Sequence, residues 1–172
     1  MTQYLTGEGG FRRDPKLPYR FYTGTLMMDL IPYGGLQEKG EAVVLEDPRM
    51  ELSVWGTKTI LEDATVSIGN FKIVTLPGLC IMKLVAFSEK PDMRAKDWGD
   101  FIFLLNNYGE IAGDALYVGS YDDLIEEDME LNLASARMLG RQMAPVLNKD
   151  EDLKAQIVAT LPGNATDSQR KI

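Results

Sequence analysis

A change of hydrophobic period at Pro77 constrains this chain more than any other feature. Ahead of it, apolar residues come in short runs broken by turn dipeptides; behind it, they recur at spacings of three and four almost to the end. In YRFYTGTLMMDLIPY, residues 19–33, two β-rich runs flank Thr23-Gly24. Thr65–Ile68 and Phe71–Thr75 read as strands joined at Gly69-Asn70, a dipeptide suited to a tight turn with positive φ. Pro77 suits the first position of a helix, where a missing N–H costs nothing. The helix PGLCIMKLVAFSEK follows, with Leu79, Met82, Val85 and Ala86 on its expected buried stripe, and Pro91 ends it. The pattern predicts an α/β fold of the α+β kind with a helical C-terminal part.

The remaining segments fit around that division. Residues 1–18 hold Gly7, Gly9, Gly10, Pro15 and Pro18 without a sustained period and read as an irregular arm. Residues 36–50 read as a polar excursion between sheet elements, and Glu51–Asp63 has weak helical spacing at Val54, Thr57 and Leu61. A helix is expected from Arg94 to Tyr108, carrying Trp98, Phe101, Ile102, Leu104 and Leu105, with Gly109 as its C-cap. Further helical segments are expected at Ile111–Tyr117, Asp122–Ile125, Glu130–Leu147 and Leu153–Leu161. Asp122, Asp123, Glu126, Glu127, Asp128 and Glu130 form an acidic cluster. The organisation expected is an arm (1–18), an α/β core (19–108), a helical part (109–161) and a disordered tail (162–172).

Composition narrows the chemistry. The chain has no histidine, which excludes a Ser-His-Asp triad, a Cys-His pair and a His-containing zinc site. Its one cysteine, Cys80, forms no intrachain disulfide and is expected to be buried in a reduced, intracellular protein. With 18 basic against 26 acidic residues the net charge is −8, which disfavours a broad electrostatic grip on nucleic acid. No apolar run approaches the roughly 20 residues of a spanning helix. A soluble cytoplasmic protein is the expectation.

Two sets of residues carry candidate chemistry. Asp29 is the only charge in an otherwise apolar run that reads as a central strand covered on both faces. A carboxylate there needs a hydrogen-bond donor, an ion-pair partner or a metal. Backbone N–H groups of the Gly34-Gly35 turn are one partner; a hard divalent cation is the other. On the Pro77 helix, Lys83 either snorkels outward or points into a cleft where an ammonium binds phosphate. Arg94, Lys96, Asp97 and Asp100 follow, the two aspartates being i and i+3 on one face of the next helix start. Arg12, Arg13, Lys16 and Arg20 make a modest basic patch that reads as a solvated loop or, with Tyr19 and Tyr22, as a contact for a polyphosphate.

The succession MMDLIPYGG, VTLPGLCIMKLVAF, RAKDWGDFIFLLNNY and LASARMLGRQMAPVL resembles nucleotidyltransferase-like proteins of the AbiEii/AbiGii toxin type, from about Phe21 to Leu161. The resemblance implies a partial nucleotidyltransferase-like mixed sheet with flanking helices. It implies a catalytic role for Asp29 as a metal-site carboxylate. Lys83 would contact the phosphates of an NTP, and Lys96, Asp97 and Asp100 would close the nucleotide site. The reaction it implies is transfer of a nucleotidyl group to an acceptor hydroxyl with Mg²⁺ shielding the phosphates. The acceptor, whether tRNA, protein or small molecule, is not specified by the sequence. Such enzymes also carry a Gly-Ser loop and an Asp-x-Asp strand. Neither precedes Asp29 here, where the only upstream carboxylates are Glu8 and Asp14. A truncated chain that binds Mg²⁺ weakly and turns over little by itself is the resulting expectation. The alternative is a non-catalytic interaction module that binds an antitoxin-like partner, or itself, through an open sheet edge.

Overall fold

In a computed structural model of the chain, describing residues 2–34, 42–117, 119–125 and 130–161, two-residue turns and helix caps set the elements. The fold is α+β, with six α-helices and three small antiparallel sheets among those residues. The chain divides between Trp55 and Gly56 into two units. The tail at 162–172, Gly35 of the Gly34-Gly35 turn, and Glu126, Glu127 and Asp128 of the acidic cluster lie outside the described residues.

In the first unit, the supposed arm contains a short helix, α1 (Thr2–Thr6), and a strand, β1 (Arg12–Arg13). β2 (Arg20–Thr23) and β3 (Leu26–Asp29) form the hairpin expected around Thr23-Gly24. Its loop is Gly24-Thr25, and Gly24 takes the positive φ of 54° that a first loop position of this kind requires. The sheet order is β1-β2-β3, so among the described residues β3 is an edge strand. This corrects the expectation of a central strand covered on both faces: Leu26 and Met27 are more than half exposed, and Asp29 is exposed as well. An apolar run on both faces identifies a strand but does not say which of its neighbours the chain supplies. The polar excursion at 36–50 ends in a second hairpin, β4 (Ala42–Leu45) against β5 (Met50–Ser53), with Val43 buried. Residues 50–53 are thus strand, and the helical spacing assigned from Glu51 holds only later.

The second unit opens with α2 (Thr57–Asp63) and the hairpin β6 (Thr65–Ile68), β7 (Phe71–Val74), joined at Gly69-Asn70 as expected. α3 (Leu76–Glu89) follows, its N-cap Thr75 accepting from Gly78 N at 3.3 Å, which puts Pro77 second rather than first in the helix. A Cβ on Gly78 would stand 2.8 Å from Ala64 Cβ and 2.7 Å from Val74 Cγ2, so α3 packs against the preceding segment only because this position is glycine. α3 buries Cys80, Ile81, Leu84 and Val85, whereas Met82, placed on the expected stripe, is 42% exposed. Apolar side chains lie all round this helix, so its period cannot tell which face the core takes.

α4 (Ala95–Ala112) runs a turn beyond the expected end and is closed by Gly113, not Gly109. Two 3₁₀ turns, Gly113–Tyr117 and Gly119–Leu124, then lead to α5 (Leu131–Leu147) and α6 (Glu151–Thr160). Asp150 caps α6 by accepting from Leu153 N at 3.0 Å. The core of this unit joins Ile60, Cys80, Leu84, Met138, Leu139, Leu153 and Ile157, all essentially inaccessible. No described helix is long and apolar enough to cross a membrane.

Candidate functional site

The two candidate sets fall in different units, Asp29 in the first and Lys83, Lys96, Asp97 and Asp100 in the second. Each is built locally.

Asp29 owes its environment to register. With Thr23 opposite Leu26, the hairpin puts Arg20 directly across from Asp29. Arg20 Nε donates to Oδ1 at 2.7 Å and Nη2 to Oδ2 at 2.8 Å, a bidentate pair that compensates the carboxylate. The Asp29 hydrogen bonds holding this strand charge therefore come from Arg20, a partner legible from the loop length once Gly24-Thr25 is taken as the turn. A cavity of about 560 Å³ borders Asp29, with Tyr19, Phe21, Pro32 and Leu45 among its walls.

The basic patch is largely committed to the same unit. Arg13 donates to the carbonyls of Pro18 at 2.9 Å and Asp47 at 3.2 Å, and Arg12 stacks over the Tyr22 ring at 4.7 Å. Asp14 accepts from Lys16 N, Leu17 N and Tyr22 Oη at 2.8, 2.9 and 3.0 Å, and these bonds hold its carboxyl below the usual range.

The second set converges. α3 and α4 pack side by side, and the ammonium of Lys83 reaches Asp97 Oδ1 and Asp100 Oδ2, each at 2.8 Å. Because the aspartates are i and i+3, both point from one face of the first turns of α4 toward α3. Arg94 adds a contact to Asp97 Oδ2 at 3.3 Å. Asp97 is buried, at 12% side-chain exposure, and the start of α4 favours its charge. Lys83 is about a quarter exposed; it neither snorkels free nor stands alone in a cleft. Burial pushes its ammonium pKa down, but the hydrogen bonds and charges of Asp100 and Asp97 outweigh this and raise it. The hydrogen bond from Lys83 lowers the Asp100 carboxyl, with the charge of exposed Lys96 adding to the effect.

Two of the three N–H donors of Lys83 go to these aspartates, which leaves one direction for an incoming acceptor such as a phosphate oxygen. Divalent cations are less well provided for. Among the described residues, no three Cys, Asp or Glu side chains converge as metal ligands. Both Asp29 oxygens are held by a guanidinium that a cation would have to displace, and Asp97 and Asp100 are neutralised by Lys83. These carboxylates do not by themselves make a site for two hard cations.

Cys80 is fully buried, as expected, and burial pushes its thiol up to about 11. No protein-family model matches the chain, and neither a curated protein nor a solved structure is significantly similar to it.

Proposed function

We propose that the chain is a nucleotidyltransferase-like domain in which Lys83 contacts the phosphates of an NTP beside Asp97 and Asp100. One observation carries this reading: the ammonium of Lys83 is pinned at 2.8 Å from each aspartate while a quarter of its side chain stays accessible. A lysine so fixed offers its remaining donor at a set position with little further loss of side-chain freedom. The order of the MMDLIPYGG, Lys83 and Lys-Asp-x-x-Asp segments supports the same reading. Mg²⁺ in this scheme enters with the nucleotide, and Asp29, engaged by Arg20, is assigned no chemical step. A cytoplasmic location accompanies the proposal, since triphosphates and reduced thiols are both found there.

Calorimetry with ATP, GTP, CTP and UTP in the presence of Mg²⁺ tests it. Binding of at least one nucleotide by the wild type, weakened about tenfold or more in Lys83→Ala of verified fold, is the expected result. Equal heats from both proteins remove Lys83 from the site.

A second reading, a non-catalytic module that associates with another copy of itself, is favoured by the β6–β7 hairpin. Val66, Ile68, Phe71 and Ile73 are paired across it and are each 45–75% exposed on one apolar face. Light scattering after size exclusion decides between a dimer lost in Phe71→Lys and a monomer at all concentrations; the latter rejects this reading.

A further inference from the structure

The cavity of about 560 Å³ is built wholly by the first unit, from residues between Leu5 and Glu46, and none of the residues assigned to the nucleotide borders it. Its size falls within the roughly 300–1,000 Å³ of small-molecule pockets. Protein interiors leave few voids larger than a water molecule, so a space this large is not a packing defect.

Strand pairing sets its inner wall. Arg13 of β1 lies directly across from Phe21 of β2, so their side chains leave the same face of the sheet. Arg12 and Tyr22, the adjacent pair, take the opposite face, where the guanidinium covers the ring. Phe21 is 3% exposed and Pro18 is buried; with Tyr19 and Pro32 they give the cavity ring-bearing walls. Such walls suit a flat apolar body.

Charge around this cavity is unevenly matched. Two carboxylates border it, and each has its own cation: Asp29 is held bidentately by Arg20, and Glu46, 71% exposed, is paired with Arg49 at 2.8 Å. Arg13 is held only by carbonyls, Pro18 O accepting from Nε at 2.9 Å and Asp47 O from Nη2 at 3.2 Å. Among the described residues no carboxylate forms an ion pair with it. Carbonyls fix a guanidinium in place without neutralising it. Three of its five N–H donors remain, both on Nη1 and the second on Nη2, and these form the terminal fork that a carboxylate matches in a bidentate pair. Arg13 is half-buried, and a positive charge beside apolar rings is costly until an anion joins it.

We propose that this cavity binds a small aryl carboxylate, its ring among Phe21, Tyr19 and Pro32 and its carboxylate on the free fork of Arg13. An arylalkyl ammonium held by Asp29 and Glu46 is the opposite assignment, and it would compete with Arg20 and Arg49 for carboxylates already matched.

Titration of the isotope-labelled full chain with 3-phenylpropanoate, followed by NMR, is the test. Saturable shifts are expected at the Phe21, Leu30 and Leu45 amides, with a dissociation constant below about 1 mM. The neutral isostere 3-phenylpropanamide should bind about tenfold more weakly or worse, and Arg13→Gln should weaken the acid to a similar degree. Because Arg13 also ties down the Pro18 and Asp47 carbonyls, the comparison of acid with amide, made on wild type alone, decides the matter if that variant fails to fold. The proposal is overturned by an absence of saturable shifts, or by an amide or 3-phenylpropylammonium that binds as tightly as the acid. Undiminished affinity in a folded Arg13→Gln, or shifts centred on Lys83 or on α5, overturn it equally.

Discussion

The ammonium of Lys83 meets the carboxylate of Asp97 at 2.8 Å, joining α3 to α4 by charge as well as by apolar packing. Asp97 is the most buried carboxylate in this contact, and Lys83 is its nearer cation, Arg94 standing at 3.3 Å. The neighbouring ring contacts, Phe87 with Trp98 at 5.1 Å and Trp98 with Phe101 at 5.6 Å, exclude water along the same helix pair.

Lys83→Met should therefore destabilise the fold by about 1–3 kcal/mol, the usual range for leaving a buried charged acceptor without its main donor. Urea unfolding measures it. The double variant Lys83→Met/Asp97→Leu should recover a large part of the loss, because the orphaned charge is gone. Strict additivity of the two single changes would show that the contact carries no coupling.

The pH dependence of the contact between Lys83 and Asp100 has a definite sign. Hydrogen bonding from Lys83 holds the Asp100 carboxyl below its ordinary 3.8, so that contribution is complete above 3.8 and is lost as pH falls through the lower folded value. The Lys83 ammonium is raised above its ordinary 10.5, so its contribution is complete below 10.5 and is lost as pH rises through the folded value. The stability difference between wild type and Lys83→Met should be flat from about pH 5 to 9 and shrink beyond both limits. A difference unchanged at pH 3 would contradict the assignment to Asp100.

Gly109→Ala should destabilise, against the usual gain of roughly 1 kcal/mol for this change inside a helix. The new Cβ would stand 2.5 Å from Ser135 Oγ, which is itself held by its bond to Leu131 O at 2.8 Å. Overpacking of this kind costs about 1–3 kcal/mol. Adding Ser135→Ala removes the oxygen and should restore the helix gain; thermal melts of the three variants give the comparison.

Cys80 should resist thiol reagents in the folded state. Its side chain is inaccessible and its thiol is pushed up to about 11, so little thiolate exists at pH 8 and none of it is reachable. Reaction with a disulfide reagent should proceed only in denaturant or at the rate of opening. Immediate stoichiometric labelling of the native protein would show that α3 is not packed as described.

Local signals were enough for much of this protein. The turn dipeptides placed the hairpins at Gly24 and at Gly69-Asn70, Pro77 marked the start of α3, and the i, i+3 spacing of Asp97 and Asp100 set both acids on one helix face, because each of these depends on a few consecutive residues. Sequence also limited the chemistry outright, since a chain without histidine has no imidazole to use. Tertiary structure decided what depends on residues distant in the chain. It exposed Met82, since an all-round apolar helix has no preferred face until neighbours arrive. It gave Asp29 a guanidinium, through a cross-strand register, and it directed the ammonium of Lys83 onto two aspartates of the following helix. A charge on an apolar element announces only that a partner is needed; packing selects the partner, because that choice is made by distance in space.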